Sequence, residues 1–231
     1  MSDFDSADCL ARYRALVRER PERFGNPAGD IYEILFGGDE IDRARRDAEN
    51  HRRAEGLPVE DTRVGVLAED PYLMVMREAV RFADGTYGLY NRLLVPSGAA
   101  ILPVIDNSIV LLHRFRHGTR RWHFEAPRGS FTGRGTRADE ARRELLEEIG
   151  SGATDLIDLG QLHSTTGCLD EEHQLYLARI DAVGRPDLHE AIERIDLFPI
   201  DEVERMIADG TITDGPTLAL FLRARLRGYL T

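Results

Sequence analysis

A chain of 231 residues has room for one ordinary domain plus an appended module, and its two distant cysteines, Cys9 and Cys168, match no metal or redox spacing, so a disulfide framework is excluded and a reducing, cytoplasmic compartment is expected. A net charge of -11 disfavours nucleic-acid binding, while the acidic start MSDFDSADCL and the lack of any apolar run near the roughly 20 residues of a membrane span speak against a signal peptide or a membrane partner. Every basic side chain apart from histidine is arginine, which excludes a Schiff-base or P-loop lysine and leaves arginine, backbone N–H groups or metal to meet phosphate.

Leu10, Tyr13, Leu16 and Val17 recur at helical spacing and predict a first helix over residues 4–17, closed by Pro21. A second, dense in charge and read as a solvated face, is expected over 39–53, before Gly56 and Pro58. After Pro71 the pattern turns to strand: 72–80 and 87–95 joined through Asp84-Gly85, then 99–105 and 109–115 about an Asp106-Asn107-Ser108 turn. Four successive strands before a long helix predict an α+β domain rich in antiparallel sheet. Beyond a central helix, 156–162, 174–180 and 192–198 read as strands and 201–208 as a short helix ended by Gly210. A last helix opens at Pro216, a favoured first-turn residue, and turns Leu218, Phe221 and Leu222 toward a core.

The stretch from Gly129 to Gly150, GSFTGRGTRADEARRELLEEIG, carries the chemistry. It begins as a glycine-rich loop and becomes a helix near Thr136, which with Asp139 has a spacing close to a capping box. Ala138, Ala141, Leu145 and Ile149 form one apolar stripe, and Glu140, Glu144, Glu147 and Glu148 are expected together on the opposite side. Such carboxylates repel one another unless water screens them or a hard divalent cation takes oxygen ligands from them; magnesium is the natural choice, with manganese as substitute. Acids near a helix C-terminus run against the macrodipole, and Arg143, four residues before Glu147, can orient it, so a cation site is preferred to a merely solvated face.

The run Arg143-Glu144-Leu145-Leu146-Glu147-Glu148-Ile149-Gly150 resembles the core of the Nudix box, with Gly129 at the box's first glycine. Gly135 stands where the box has its first glutamate, and Ser151 where it ends on an aliphatic residue. Leu111 to Arg116 is similar to a strand of ADP-ribose pyrophosphatase-like members, as is Glu125-Ala126-Pro127-Arg128-Gly129 to their strand entering the box. Ser164 to Glu171 resembles their following loop, with Thr166 in place of a proline.

That resemblance implies a Nudix α/β/α sandwich with mixed sheet over residues 64–231, preceded by a small helical N-terminal module over 1–63. It implies Glu144 and Glu148 as metal ligands, Glu147 as a ligand or water-orienting acid, and the carbonyl of Arg128 as a further ligand. The general base is expected on the loop 181–193, at Glu190, with Glu193 the second choice. Arg116 is the candidate for binding phosphate, since guanidinium pairs bidentately with phosphate oxygens, and Glu171 and Gly129 are the candidates for binding substrate. The implied reaction is hydrolysis of a nucleoside diphosphate linked to another moiety, ADP-ribose or a related nucleotide sugar first, in a homodimer; the alternative is a catalytically weak nucleotide-sensing or protein-binding module. The histidines form no metal spacing, and Trp122 and Phe124 are expected to pack in the core.

Overall fold

Met1–Val95 with Thr165–Asp170 forms one unit of the chain, and Pro96–Ser164 with Glu171–Thr231 the other. The computed structural model describes residues 2–3, 6–26, 31–131, 133–185 and 190–230. The expected helix start at Phe4, Thr132 of the glycine-rich loop and residues 186–189 of the loop 181–193 lie outside the described residues. Among the described residues no helix is long and apolar enough to cross a membrane.

In the first unit, β1 (Ser2–Asp3), α1 (Ser6–Glu19), β2 (Glu33–Ile34), α2 (Gly38–Ala54), β3 (Gly65–Glu69), β4 (Met74–Arg81) and β5 (Tyr87–Leu94) follow in order. Both predicted helices are present. With the two-residue strand Leu169–Asp170, the strands form a six-stranded sheet among the described residues, ordered β1-β3-β4-β5 and then Leu169–Asp170, with β2 on β4. The β4–β5 hairpin pairs from Met74 with Leu94 to Arg81 with Tyr87, and its turn at Asp84-Gly85 is stapled by the Thr86 N–H donating to Asp84 Oδ1 at 2.9 Å. Side chains alternate faces along β4, so Met76 joins a cluster with Tyr13, Leu16, Phe24 and Val66 under α1, while Ala79 joins Leu35, Ile41, Ala44 and Val64 under α2.

The second unit runs β6 (Gly98–Ile105), β7 (Ser108–Arg116), β8 (Arg121–Glu125), β9 (Arg128–Ser130), α3 (Arg137–Ile149) and β10 (Asp155–Leu162). After β11, the Leu169–Asp170 strand of the first unit, come β12 (His173–Arg179), β13 (Ile192–Pro199), α4 (Ile200–Ala208) and α5 (Gly215–Leu226). Among the described residues seven strands form a mixed sheet ordered β10-β12-β6-β7-β13, with β8 on β7 and β9 on β6. Within this sheet, among the described residues, only the β12–β6 ladder is parallel, pairing His173 with Gly98 through Arg179 with Val104.

Period-two alternation builds the sandwich. Ala99, Ile101, Val110, Leu112, Tyr176 and Ala178 pack under α3 with Ala141, Leu145 and Ile149. The intervening Ala100, Leu102, Ile109, Leu111, Leu175 and Leu177 pack under α4 and α5 with Val203, Leu220 and Phe221. This is the predicted mixed-sheet α/β/α arrangement. The four successive strands of residues 74–116 are divided between the two sheets. β6 takes β12 as its parallel partner, some 70 residues on, a non-local pairing that local strand propensity cannot report.

Phe124 packs as expected, edge-on to Phe198 with ring centroids 5.4 Å apart. Trp122 does not: it is 48% exposed and lies flat on the His113 ring, centroids 5.0 Å apart and planes 10° from parallel. Among the described residues strand β8 pairs only with β7, so no described strand covers the outer end of this aromatic ladder.

Candidate active site

Along β7, Val110 and Leu112 face the core under α3, and the same alternation brings Arg114 to that side. There its guanidinium meets two acids, Glu148 from α3 and Glu190 from the segment before β13. The Arg128 N–H, at the start of β9, donates to the second Glu148 oxygen at 3.0 Å. Three elements thus converge on one buried carboxylate, whose side chain is 3% exposed.

Helix α3 opens with the predicted capping box: the Asp139 N–H donates to Thr136 Oγ1 at 3.1 Å and the Thr136 N–H to Asp139 Oδ2 at 2.8 Å. It ends at Gly150 in the left-handed conformation. Glu140, Glu144 and Glu148 recur every fourth residue and are buried together, whereas Glu147 is half exposed. The four acids span about 100° of the helix surface as expected, but they are not covered alike: Glu147 lies about 20° from buried Glu140 on the wheel and still reaches solvent. Arg143 connects the set, its guanidinium meeting Glu140, Glu144 and Glu147.

A Cβ on Gly129 would lie 1.9 Å from a Glu144 oxygen, so only glycine leaves room for that carboxylate. Burial pushes the Glu144 carboxyl up to about 7; Arg143 opposes this, and the charges of Glu148, Glu147 and Glu140 add to it. Burial also pushes Glu148 upward, against Arg114 and the Arg128 N–H. Gly135, in place of the box glutamate, has φ of +74°, where any other residue would be strained.

Beside this cluster a cavity of about 390 Å³ is lined by Arg116, Arg128, Gly129, Ser164, Glu171 and Asp214, among others. Arg116 Nε donates to both oxygens of buried Glu125, at 3.0 and 2.8 Å. Arg128 Nη1 donates to Asp214 Oδ1 at 2.6 Å. Asp214 also caps α5 by accepting from the Thr217 N–H at 3.0 Å, and Thr217 Oγ1 accepts from the Ala126 N–H at 2.9 Å. Glu171 stands 3.0 Å from His173 Nε2, a contact that, with Ser164, holds its carboxyl below the usual range against the effect of burial.

The structure brings Glu144, Glu148, Arg143, Arg128 and Gly129 together, and Glu190 joins them through Arg114. Arg116 and Glu171 line the neighbouring cavity. Glu193 goes elsewhere, to His113 Nδ1 and Arg194 Nη1, both at 2.6 Å. Sequence reading missed Arg114, Glu125 and Asp214; the spacing Val110, Leu112, Arg114 was the available signal for the first.

Among the described residues no three His, Cys, Asp or Glu side chains converge as a ready-made metal site, the acids being held by arginines. The donor set is nonetheless all hard oxygen, which suits a small divalent cation, and the space above Gly129 keeps the Glu144 carboxylate free of backbone obstruction.

A family model described as NUDIX domain matches residues 95–221. The chain is 33% identical over 150 residues to an ADP-ribose pyrophosphatase of Mycobacterium tuberculosis, covering 62% of this chain and 72% of that one. It is 31% identical over 135 residues to a CMP-5'-(N-acetyl-N-hydroxy-3-aminopropyl)phosphonate hydrolase of Streptomyces rubellomurinus, covering 57% and 66%. It is 24% identical over 132 residues to the ADP compounds hydrolase NudE of Escherichia coli, covering 56% and 67%. These matches thus span about two thirds of each relative's length. In fold, it is similar to a crystal structure of an ADP compounds hydrolase, with a TM-score of 0.61 at 20% identity, covering 73% of this chain and 94% of that one.

Proposed function

Because this chain belongs to the NUDIX family and has its pyrophosphohydrolase fold, we propose that it hydrolyses the diphosphate of a nucleoside diphosphate linked to another moiety, ADP-ribose or a related nucleotide sugar first. Water adds across the P–O–P linkage, and a nucleoside monophosphate and a phosphorylated partner leave. The observation that carries the reading is Glu148, buried and gathered by Arg114 and the Arg128 N–H beside a cavity with two arginines. Two of the three relatives are named for ADP compounds.

Glu144, Glu147, Glu148 and the Arg128 carbonyl would hold Mg2+, or Mn2+ in its place; when bound, the cation supplies charge neutralisation on phosphate oxygens and acidifies water. The chain's own groups do the rest. Arg143 orients Glu144 and Glu147. Glu190, beside Arg114, accepts the proton of the attacking water, while Arg116 binds phosphate from its fixed position on Glu125. Glu171 binds substrate across the same cavity, and Gly129 leaves the Glu144 carboxylate its place.

The test is an assay with magnesium or manganese against ADP-ribose, NADH, GDP-mannose, diadenosine polyphosphates, coenzyme A and nucleoside triphosphates. A diphosphate flanked by two bulky groups is expected to be preferred, because without lysine few cations remain for a triphosphate tail. ATP or GTP favoured tenfold in kcat/KM, which is about 1.4 kcal/mol of transition-state binding, overturns the preference. Tight binding of ADP-ribose without cleavage under either metal favours a sensing role instead.

We also propose a cytoplasmic homodimer in which the β4–β5 hairpin contributes to the neighbour's site. Light scattering at micromolar concentration is expected to give twice the chain mass. A monomeric mass with full activity removes this idea.

A further inference from the structure

Ser164, Glu171 and His173 line the cavity, and all three belong to the second unit. His173 opens β12 and pairs with Leu162 of β10 on one side and Gly98 of β6 on the other, so its backbone is fixed inside the sheet. Gly98 gives the ring its place, since a Cβ there would lie 3.1 Å from His173 Nδ1. The His173 side chain is 12% exposed, and its Nε2 stands 3.0 Å from Glu171 Oε1. An ionised carboxylate only accepts, so Nε2 carries the hydrogen. The Ser164 hydroxyl donates to the same carboxylate. His163 holds the backbone of Glu171, its Nδ1–H donating to the carbonyl at 3.0 Å.

The arginines of the cavity have carboxylates of their own, Arg116 on Glu125 and Arg128 on Asp214. The charge of Arg128 also acts on Glu171, yet the hydrogen bonds of Glu171 go to His173 and Ser164. The second ring nitrogen tells against a merely structural histidine. Buried Nδ1 has no hydrogen-bond partner among the described residues. An unpaired buried nitrogen costs stability, and an apolar ring would fill the same space without it. What histidine offers here is the contact of Nε2 with Glu171.

We propose that His173 is a positioning residue, which keeps the Glu171 carboxylate from closing on the Arg128 guanidinium and presents it to the substrate in one orientation. The guanidinium N–H groups are thereby left to phosphate, and a side chain held in advance spares binding the cost of ordering it. This rests on the reading of that cavity as the substrate site.

The experiment compares wild type with His173→Phe, His173→Gln, Glu171→Gln, and His173→Phe in the Glu171→Gln background. Phenylalanine keeps a ring and removes both nitrogens, whereas glutamine returns an amide N–H near the place of Nε2. Steady-state kinetics use ADP-ribose with magnesium. The Glu171 carboxyl is titrated by carbon-13 NMR on the substrate-free protein, its signal being the one that Glu171→Gln removes. His173→Phe nearly conserves shape, so the melting temperature is expected to move by no more than about 5 °C. KM should rise on the order of tenfold in His173→Phe, with kcat within about threefold, and stay within about threefold of wild type in His173→Gln. His173→Phe should cost less than about twofold once Glu171 is glutamine. His173 and then Ser164 hold the Glu171 carboxyl below the usual range, so the midpoint should move up in His173→Phe. An unchanged KM or midpoint in His173→Phe, a glutamine variant as poor as the phenylalanine one, or a full multiplicative loss on the Glu171→Gln background overturns the proposal. A wild-type protein that cleaves none of the compounds overturns the substrate reading instead; the titration then still decides the hold on Glu171, an upward move upholding it and an unmoved midpoint removing it.

Discussion

Glu148→Gln is expected to lower kcat by a factor on the order of 10² or more, the largest loss from any single change in this chain. Glutamine keeps the length and one acceptor oxygen, so it turns an NH2 donor toward either the Arg114 guanidinium or the Arg128 N–H and removes the charge on which both converge. Arg114 is 7% exposed and would retain only Glu190 as an ionic partner, so stability should also fall, by about 1–3 kcal/mol. Urea unfolding measures that cost separately from turnover. A turnover within about threefold of wild type at saturating magnesium would take Glu148 out of the chemistry.

Gly129→Ala should produce the next largest effect, through a different route. The added methyl group is accommodated by the extended β9 backbone, where Gly129 pairs with Ala99, but it would sit 1.9 Å from one Glu144 oxygen and 2.0 Å from the carboxyl carbon. The glutamate must swing aside. A displacement of about 1 Å can cost on the order of 10² in rate, and kcat is expected to fall by between about 10 and 10². The loss acts through Glu144, so adding Glu144→Gln to Gly129→Ala should slow the enzyme by no more than about threefold further. Independent, multiplying losses would show that Gly129 acts on something else.

Helix α3 was legible because three local signals agree on it: the Thr136/Asp139 cap, the stripe Ala141, Leu145, Ile149, and the glycine that ends it. Glu144 and Glu148 inherit that clarity, since they follow the buried stripe one residue behind. Glu147 shows the limit of a helical wheel, which counts angles without knowing how far neighbouring strands reach around the helix. Arg114 and Arg116 have the same parity on β7, and only the placement of α3 and β8 decides that one meets Glu148 and the other Glu125. Strands of two residues, such as β2 and β11, carry no periodicity at all; β11 exists because β5, more than 70 residues earlier, offers it an edge.

Trp122 is the sole tryptophan, and it sits on β8, stacked on His113 and about half exposed. Every indole photon the protein emits therefore reports on the second unit. Five of the seven tyrosines, Tyr13, Tyr32, Tyr72, Tyr87 and Tyr90, lie in the first. Heating followed by indole emission and by far-ultraviolet circular dichroism will trace superimposable curves only where both units lose structure in one cooperative step. Separated curves would mean that the units melt in turn, so the native fluorophore can time one half of the molecule against the whole without any label.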